Sequence, residues 1–391
     1  MRIAFIIQRY GAEVLGGAET LAREVAERLA PFMQVEVITT CASDQDWENT
    51  YAPGDSVVNN IPVHRFATDH PRHPEFSRIY AELLANPKAT VLDEIEWMKA
   101  QGPHSSDLLH FLRHHHDRYD LLVFVGYLFF HTYFGLQVAP HKSILIPTTH
   151  DEPPLYFNIF NTVFSLPRGL IYLTEEERRL AHARFNLPQG TRQAVIGGGI
   201  HIPHVTEEAR AAFRNKYNIN TPYVLYAGQI SSSKGCDTLF AWFTRFQEEQ
   251  HADVKLICIG RLDMKMPVHG AVTYLGMLSD DEKFTAMSGA RVFVMPSHLE
   301  SFSISSLEAW ASGTPILVNA AGQVLKSHCI RSNGGLFYDS YLVFTECLKL
   351  MLARADLRER LGQNGNAYVR ANYDWDVIQQ RYHSFIKAIN R

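Results

Sequence analysis

Two glutamates after a tight turn carry the strongest chemical signal in the sequence. Glu300 lies in the run Pro-Ser-His-Leu-Glu-Ser-Phe-Ser, and seven residues separate it from Glu308. A helix is expected to begin near Ser303, so that its first amides would point outward without partners and attract a phosphate. The Glu308 carboxylate can accept hydrogen bonds from two neighbouring hydroxyls, as on a ribose, and Glu300 can do so for a sugar. A capped helix with two solvated glutamates is the alternative.

Two loops combine glycine with positions that suit a phosphate. Gly16 and Gly17 end the loop after the first expected strand, and this loop fits neither a Walker A sequence nor GxGxxG. Because glycine lacks a Cβ, its backbone can come close to a phosphate. In the later loop Gly-Gln-Ile-Ser-Ser-Ser-Lys-Gly, Lys234 can neutralise a diphosphate as a point charge. A tight turn and a solvated lysine are the structural alternatives.

A histidine follows another apolar strand. His150 and Asp151 come after residues 144–146, at the carboxyl end of the expected strand, where ligands of doubly wound sheets bind. A histidine that is satisfied within the fold is the alternative. Asp44 and Asp46 imitate a metal-binding DxD pattern, but a lone DxD in a polar loop is far more often a plain loop. No metal site is expected.

In this order and context, the motifs resemble the paired-glutamate motif of retaining glycosyltransferase family 4, whose members have the GT-B fold. The resemblance spans the chain, from Gly-Gly-Ala-Glu after the first strand to Ala-Trp-Ala-Ser-Gly-Thr-Pro after the second glutamate. It implies a nucleotide-diphosphate sugar as donor, UDP- or GDP-linked, and transfer to a hydroxyl with retention. The family pattern has arginine where Gln229 stands, so a neutral amide replaces a cation there.

The resemblance assigns catalytic roles to three residues. His150 would hydrogen-bond a hydroxyl of the donor sugar without acting as a nucleophile. Lys234 would support the leaving diphosphate, and Glu300 would hold the sugar. Asp151 would orient the acceptor or the sugar ring.

The same resemblance implies a donor-binding set drawn from both halves of the chain. Gly17 would meet the diphosphate, and Arg261 and the backbone of Met277 would meet the nucleobase. The expected donor-binding residues are Gly16, Gly17, Gln229, Lys234, Arg261, Met277, Glu300, Ser301, Phe302, Ser303, Ile304 and Glu308.

The elements that must position these residues alternate as strands and helices, the pattern of a parallel sheet covered on both faces. In the first half, strands are expected over 3–7, 35–39, 63–66, 121–125, 143–146 and 169–173, with a helix over 19–30. In the second half, strands are expected over 223–227, 254–259, 272–274 and 292–295, with helices over 237–249, 304–312 and 373–391.

The length of 391 residues suits two α/β domains. The expected fold is therefore GT-B, with two Rossmann-like doubly wound domains that face each other across a cleft. Residues 1–196 would form the acceptor-binding domain and residues 197–375 the domain that binds the nucleotide sugar. A C-terminal helix over 376–391 would cross back to the first domain, and closure of the cleft would assemble the site.

Composition excludes several other classes of protein. A formal charge of -4 without a basic block argues against nucleic acid as a partner. The five cysteines form no CxxC pair, which argues against a zinc site or a disulfide framework and favours the cytoplasm. The apolar runs 3–7 and 121–130 are too short for a signal segment and a membrane helix, respectively. Peripheral contact with the inner membrane surface is expected only through a lipid-linked acceptor.

These features predict a retaining, metal-independent glycosyltransferase that needs no resident cofactor. Its acceptor would be a hydroxyl of a glycan, of a lipid-linked sugar or of a small molecule, as in polysaccharide biosynthesis. Another GT-B enzyme, such as a phosphorylase or a nucleotide-sugar epimerase, is one alternative. A non-catalytic subunit that binds a sugar nucleotide for a partner transferase is the other.

Overall fold

The structure is a computed structural model that describes residues 1–14 and 16–390. Its chain divides into two compact units. The first unit comprises Met1–Gly199 together with Ile378–Arg391, and the second comprises Ile200–Val377. The sequence places the expected division between residues 196 and 197. Each unit contains its own sheet, and the two are described separately below.

Within the described chain, the first unit contains a sheet of eight strands. These strands are β1 (Arg2–Ile6), β2 (Gln34–Thr40), β3 (Gly54–Val58), β4 (Ile61–Phe66), β5 (Leu121–Val125), β6 (Ser143–Ile146), β7 (Gly169–Tyr172) and β8 (Arg192–Val195). Their order in the sheet is β3-β4-β2-β1-β5-β6-β7-β8, and only β3 runs antiparallel to its neighbour among the described pairs. Between and around the strands lie α1 (Gly17–Leu29), α2 (Phe76–Ala85), α3 (Val91–Gln101), α4 (Ser106–His115), α5 (Phe130–Gly135), α6 (Ile159–Ser165) and α7 (Glu175–Arg184).

The core of the first unit follows from its sequence pattern. All residues of β5, Leu-Leu-Val-Phe-Val, are buried, because helices cover both faces of a parallel sheet. Helix α1 buries a stripe that includes Leu21, Val25 and Leu29, so the four-residue spacing of its apolar residues faces the sheet.

The second unit contains a fully parallel sheet of six strands in the described chain. They are β9 (Tyr223–Ala227), β10 (Lys255–Ile259), β11 (Val272–Tyr274), β12 (Val292–Met295), β13 (Ile316–Asn319) and β14 (Gly335–Tyr338), in the order β11-β10-β9-β12-β13-β14. The accompanying helices are α8 (Glu207–Lys216), α9 (Cys236–Gln250), α10 (Asp280–Gly289), α11 (Ile304–Ala311), α12 (Gln323–Ser332), α13 (Tyr341–Ala353) and α14 (Ala355–Asn372). Two doubly wound α/β units confirm the predicted fold class.

The last helix, α15 (Trp375–Ile389), starts later than the expected residue 373. The chain turns between α14 and α15, where the Tyr373 carbonyl accepts from the Ile200 amide at 2.7 Å and the Asp374 carboxylate accepts from the Asp376 amide at 2.9 Å. The later part of the helix packs on the first unit, where Tyr382 Oη donates to the Gly197 carbonyl at 3.0 Å. Arg391, the expected last residue of the helix, lies outside the described residues. None of the helices described is long and apolar enough to span a bilayer.

Candidate functional site

The second unit has its topological switch point between β9 and β12. The chain goes from β9 outward through β10 to β11, and then returns to the other side of β9 to form β12. In open α/β sheets, the loops after the two strands at such a point diverge and leave a crevice for a ligand. The loops after β9 and β12 carry two of the three residues predicted to be catalytic.

Lys234 and Glu300 form an ion pair at this switch point. Lys234 Nζ donates to Glu300 Oε1 at 2.7 Å, although 66 positions separate the two residues. Lys234 ends a short 3-10 turn, and the next residue, Gly235, has φ 75°. A Cβ at Gly235 would lie 2.8 Å from the Pro296 carbonyl oxygen, so only glycine lets the two loops pack this closely.

The pair is unequally exposed, and this decides what Lys234 can do. One third of the Lys234 side chain is exposed, against 13% of the Glu300 side chain. An ammonium has three N–H donors, of which one bonds Glu300 in the structure. Lys234 can therefore hold a ligand anion while it still holds Glu300.

Helix α11 begins next to this ion pair. Its N-terminal flanking residue, Ser303, has φ 64°, a left-handed conformation that is uncommon outside glycine. Residues held in such conformations cluster at ligand sites. Phe302 is buried and packs edge-on against Tyr373 at 5.3 Å between ring centroids, which anchors the turn. The turn thus presents the first amides of α11, from Ile304 onward, at the switch point.

Glu308 has a partner that sequence reasoning missed. Lys283, on α10, donates through Nζ to Glu308 Oε1 at 2.7 Å and lies 3.0 Å from an Asp280 carboxylate oxygen. Burial opposes the charged form of Lys283, but Glu308 and Asp280 outweigh it and raise its pKa. Lys283 therefore keeps its charge and fixes one oxygen of Glu308.

Gln229 also has a partner that sequence reasoning missed, Asp263. Gln229 Nε2 donates to Asp263 Oδ2 at 2.5 Å, and Arg261 Nη2 donates to the same oxygen at 2.7 Å. The hydrogen bond from Arg261, joined by that from Gln229, holds the pKa of Asp263 below its usual range. Both expected donor-binding side chains thus point at a carboxylate in the structure.

Two further expected site residues adjoin these loops. Met277 follows β11 and is 55% exposed, just after Gly276 at φ 83°. Ser301 lies in the turn before α11 and is half-buried.

In the first unit, Gly16 and Gly17 lie at the start of α1, after β1. The switch point of this sheet lies between β1 and β5. A Cβ at Gly16 would come within 2.1 Å of Glu19 Oε2, whereas no atom of the described residues lies within 4 Å of a Cβ at Gly17. Glu19 is buried and accepts hydrogen bonds from Arg9 and from Gln8, so it braces the loop rather than facing solvent.

His150 and Asp151 lie in the loop after β6, as expected. His150 Nε2 lies 3.4 Å from Glu152 Oε2, and 31% of its side chain is exposed. Asp151 accepts from the Tyr156 hydroxyl at 2.7 Å. His150 therefore lies near a carboxylate and is partly exposed.

The DxD pattern forms a turn. The Asp44 carboxylate accepts from the Asp46 amide at 3.0 Å, which is how aspartate caps a tight loop. In the part of the chain that the structure describes, no group of three or more His, Cys, Asp or Glu side chains is placed to hold a metal ion.

The chain is similar in sequence to known glycosyltransferases. Residues 209–368 match the family model "Glycosyl transferases group 1". An uncharacterized glycosyltransferase of Methanocaldococcus jannaschii is 28% identical over 213 residues, covering 50% of this chain and 53% of that protein. A D-inositol 3-phosphate glycosyltransferase of Gordonia bronchialis is 24% identical over 405 residues, covering 96% of this chain and 84% of that protein. The chain spans about half the length of the first curated relatives that it matches.

The solved structures identify the fold. The crystal structure of Anabaena HepE in complex with UDP-glucose superposes with a TM-score of 0.73 at 14% identity, covering 99% of this chain and 100% of that one. The chain has the GT-B fold of glycosyltransferases. The match of the second unit to the group 1 model further supports a glycosyltransferase family.

Proposed function

We propose that the protein is a retaining, metal-independent glycosyltransferase that moves a sugar from a UDP- or GDP-sugar to an acceptor hydroxyl. The observation that carries this proposal is the Lys234–Glu300 ion pair beside the first amides of α11, at the switch point of the second unit. A cation and helix-terminal amides suit a diphosphate, and a carboxylate suits sugar hydroxyls. The complex of HepE with UDP-glucose supports a donor of this class.

In this reaction the bond between the anomeric carbon and the diphosphate oxygen breaks, and a bond to the acceptor oxygen forms on the same face. The acceptor hydroxyl gives its proton to the departing phosphate oxygen, so that no carboxylate nucleophile is needed. Lys234 and the α11 amides stabilise the charge that develops on the diphosphate. Because these groups supply that charge, no divalent cation is required.

The remaining residues bind and orient the donor. Glu300 holds sugar hydroxyls. The Glu308 carboxylate, one oxygen of which accepts from Lys283, holds the ribose diol. The first unit is proposed to bind the acceptor and to contribute His150 to the donor sugar.

The anomeric outcome tests the proposed reaction. The protein is incubated with UDP-glucose, GDP-mannose and related donors in the presence of EDTA, with simple sugars and alkyl glycosides as acceptors. We expect a product whose new linkage keeps the donor's anomeric configuration by proton NMR. An inverted linkage would overturn retention, and activity that disappears with EDTA and returns with Mn²⁺ would overturn metal independence.

Glu308→Ala is expected to weaken nucleotide binding by about 1.5–3 kcal/mol, the range for hydrogen bonds to a charged group. Calorimetry with the diphosphate nucleotide measures the loss. The Glu308→Ala, Lys283→Met double variant is the control, because it removes the ammonium that the single variant leaves without its carboxylate. Loss in both variants supports the ribose role, and unchanged affinity in both contradicts it.

Gln229→Ala is expected to leave the affinity for the nucleotide diphosphate within about twofold, because the amide already bonds Asp263. Gln229→Arg is expected to tighten binding by about 1 kcal/mol, because a charge-assisted hydrogen bond to phosphate is stronger than a neutral one. The same substitution with Asp263→Asn controls for capture of the new arginine by that carboxylate. A loss of about tenfold in Gln229→Ala would show that the amide binds phosphate after all.

A further inference from the structure

Glu177 is a buried carboxylate that the proposed reaction has not used. It lies in the first turn of α7 and is 1% exposed. Glu177 Oε2 accepts from the Leu173 amide at 2.6 Å, at the end of β7. Glu177 Oε1 accepts from the Thr149 amide at 2.6 Å and from Thr149 Oγ1 at 3.0 Å. One side chain thus joins α7 to the loop after β6, 28 positions earlier.

The loop that Glu177 holds has a backbone that needs support. Thr148 has φ 56°, a left-handed conformation that is strained for a β-branched residue. The next residue, Thr149, is buried and gives both its amide and its hydroxyl to Glu177. His150 follows at once, so the conformation of these two threonines sets where the imidazole points.

The buried environment of Glu177 opposes its negative charge. Burial raises its pKa to about 7, while the Leu173 and Thr149 hydrogen bonds and the nearby His150 oppose that rise. The negative charge also acts on the Tyr172 and Tyr382 hydroxyls, whose pKa values rise chiefly through burial. Burying an ionised carboxylate costs free energy unless hydrogen bonds satisfy it, so the Leu173 and Thr149 donors are needed to keep Glu177 in place.

We propose that Glu177 is a positioning residue, which holds Thr148 and Thr149 in their strained loop and so aims His150 at the donor sugar. This inference rests on the proposed role of His150 in glycosyl transfer. Glu177 does not touch the substrate, and its effect on turnover passes through His150 alone.

The test is a double-mutant cycle on turnover. Glu177→Gln places an amide N–H where a second acceptor oxygen is needed, and it should lower kcat by about tenfold, the size of one hydrogen bond to a charged group. In the His150→Ala background, the same change should have almost no further effect. Nucleotide diphosphate affinity should stay at the wild-type value, since the nucleotide site lies in the second unit.

Two further variants keep the test sound if Glu177→Gln folds poorly. Thr149→Val leaves the Glu177 carboxylate in place and removes only the hydroxyl donor. It should also lower kcat, as Glu177→Gln does. Glu175→Gln, on the same turn of α7 and paired with Arg178 at 2.8 Å, is the matched control and should leave kcat unchanged.

The outcomes separate the two claims. An equal loss from Glu177→Gln in the wild-type and His150→Ala backgrounds, with His150→Ala itself defective, would overturn the positioning role alone. A parallel fall in nucleotide affinity would also overturn it, because it would indicate general damage to the fold. An unchanged kcat in His150→Ala would overturn the proposed role of His150 and this inference with it.

Discussion

Lys234→Ala is expected to lower kcat by about 100- to 1,000-fold, the usual cost of removing one donor from a charge-stabilising site. The diphosphate gains negative charge as the bond to the sugar breaks, so an ammonium that contacts it is worth most in the transition state. Lys234 is placed for this role by Gly235 and by its bond to Glu300, which aims the side chain at the switch point. Steady-state kinetics with saturating donor measure the effect.

The control for this variant is a lysine with the same kind of partner elsewhere. Lys349 Nζ lies 3.0 Å from Glu346 Oε1 on the exposed side of α13. Exposed pairs of this kind contribute about 0–1 kcal/mol to stability, so Lys349→Ala should leave kcat unchanged. A Lys234→Ala enzyme with kcat within about threefold of wild type would mean that other groups carry the diphosphate charge.

Glu300→Gln is expected to lower kcat by about 10- to 100-fold while the affinity for the free nucleotide diphosphate is retained or increased. The carboxylate is proposed to bind the sugar, which the free nucleotide lacks. Removing its charge also releases Lys234 from its counter-charge, so that the ammonium binds the diphosphate more strongly. Substitution of Lys234 should therefore weaken nucleotide binding, whereas substitution of Glu300 should not.

Calorimetry and kinetics on the same preparations separate these effects. Glu346→Gln, the partner of the control lysine, should change neither quantity. If Glu300→Gln weakened nucleotide binding as much as Lys234→Ala does, the two residues would act as one structural unit, and the division between sugar and diphosphate would be wrong.

Strands of the two sheets could be predicted where burial on both faces requires a continuous apolar run in the sequence. The bounds of β5, β6, β9 and β12 match the expected strands, because buried parallel strands read as short apolar runs between polar turns. The bounds of the half-buried edge strand β11, Val-Thr-Tyr, also match, and its residue types favour a strand. The edge strand β3, Gly-Asp-Ser-Val-Val, is largely exposed and pairs antiparallel with β4, so its sequence has no such run. Strands β8, β13 and β14 were missed. Strand β8, Arg-Gln-Ala-Val, has no apolar run, but β13, Ile-Leu-Val-Asn, and β14, Gly-Leu-Phe-Tyr, each contain one, so strand length does not explain why they were missed.

The candidate site shows the same division between local and long-range information. The positions of Lys234, Glu300 and His150 after strands could be predicted, because each follows an apolar run that forms a strand. Their roles in a donor site stay predictions. The side chains that pair with Glu308 and Gln229 could not be predicted. Lys283 meets Glu308 from 25 positions away, and Asp263 meets Gln229 from 34. Such pairs depend on how neighbouring helices and loops pack, and the periodicity of the sequence does not indicate this packing.

The most direct test of the proposed donor site is isothermal titration calorimetry with UDP, GDP, ADP and CDP on wild-type protein and on Lys234→Ala, without divalent cations. We predict that UDP or GDP binds the wild-type protein with a Kd below about 1 mM, in the range of substrate constants for enzymes. The same nucleotide should bind Lys234→Ala at least about tenfold more weakly. Failure of all four nucleotides to bind, or equal binding to both proteins, would contradict a nucleotide-diphosphate site at the β9–β12 switch point.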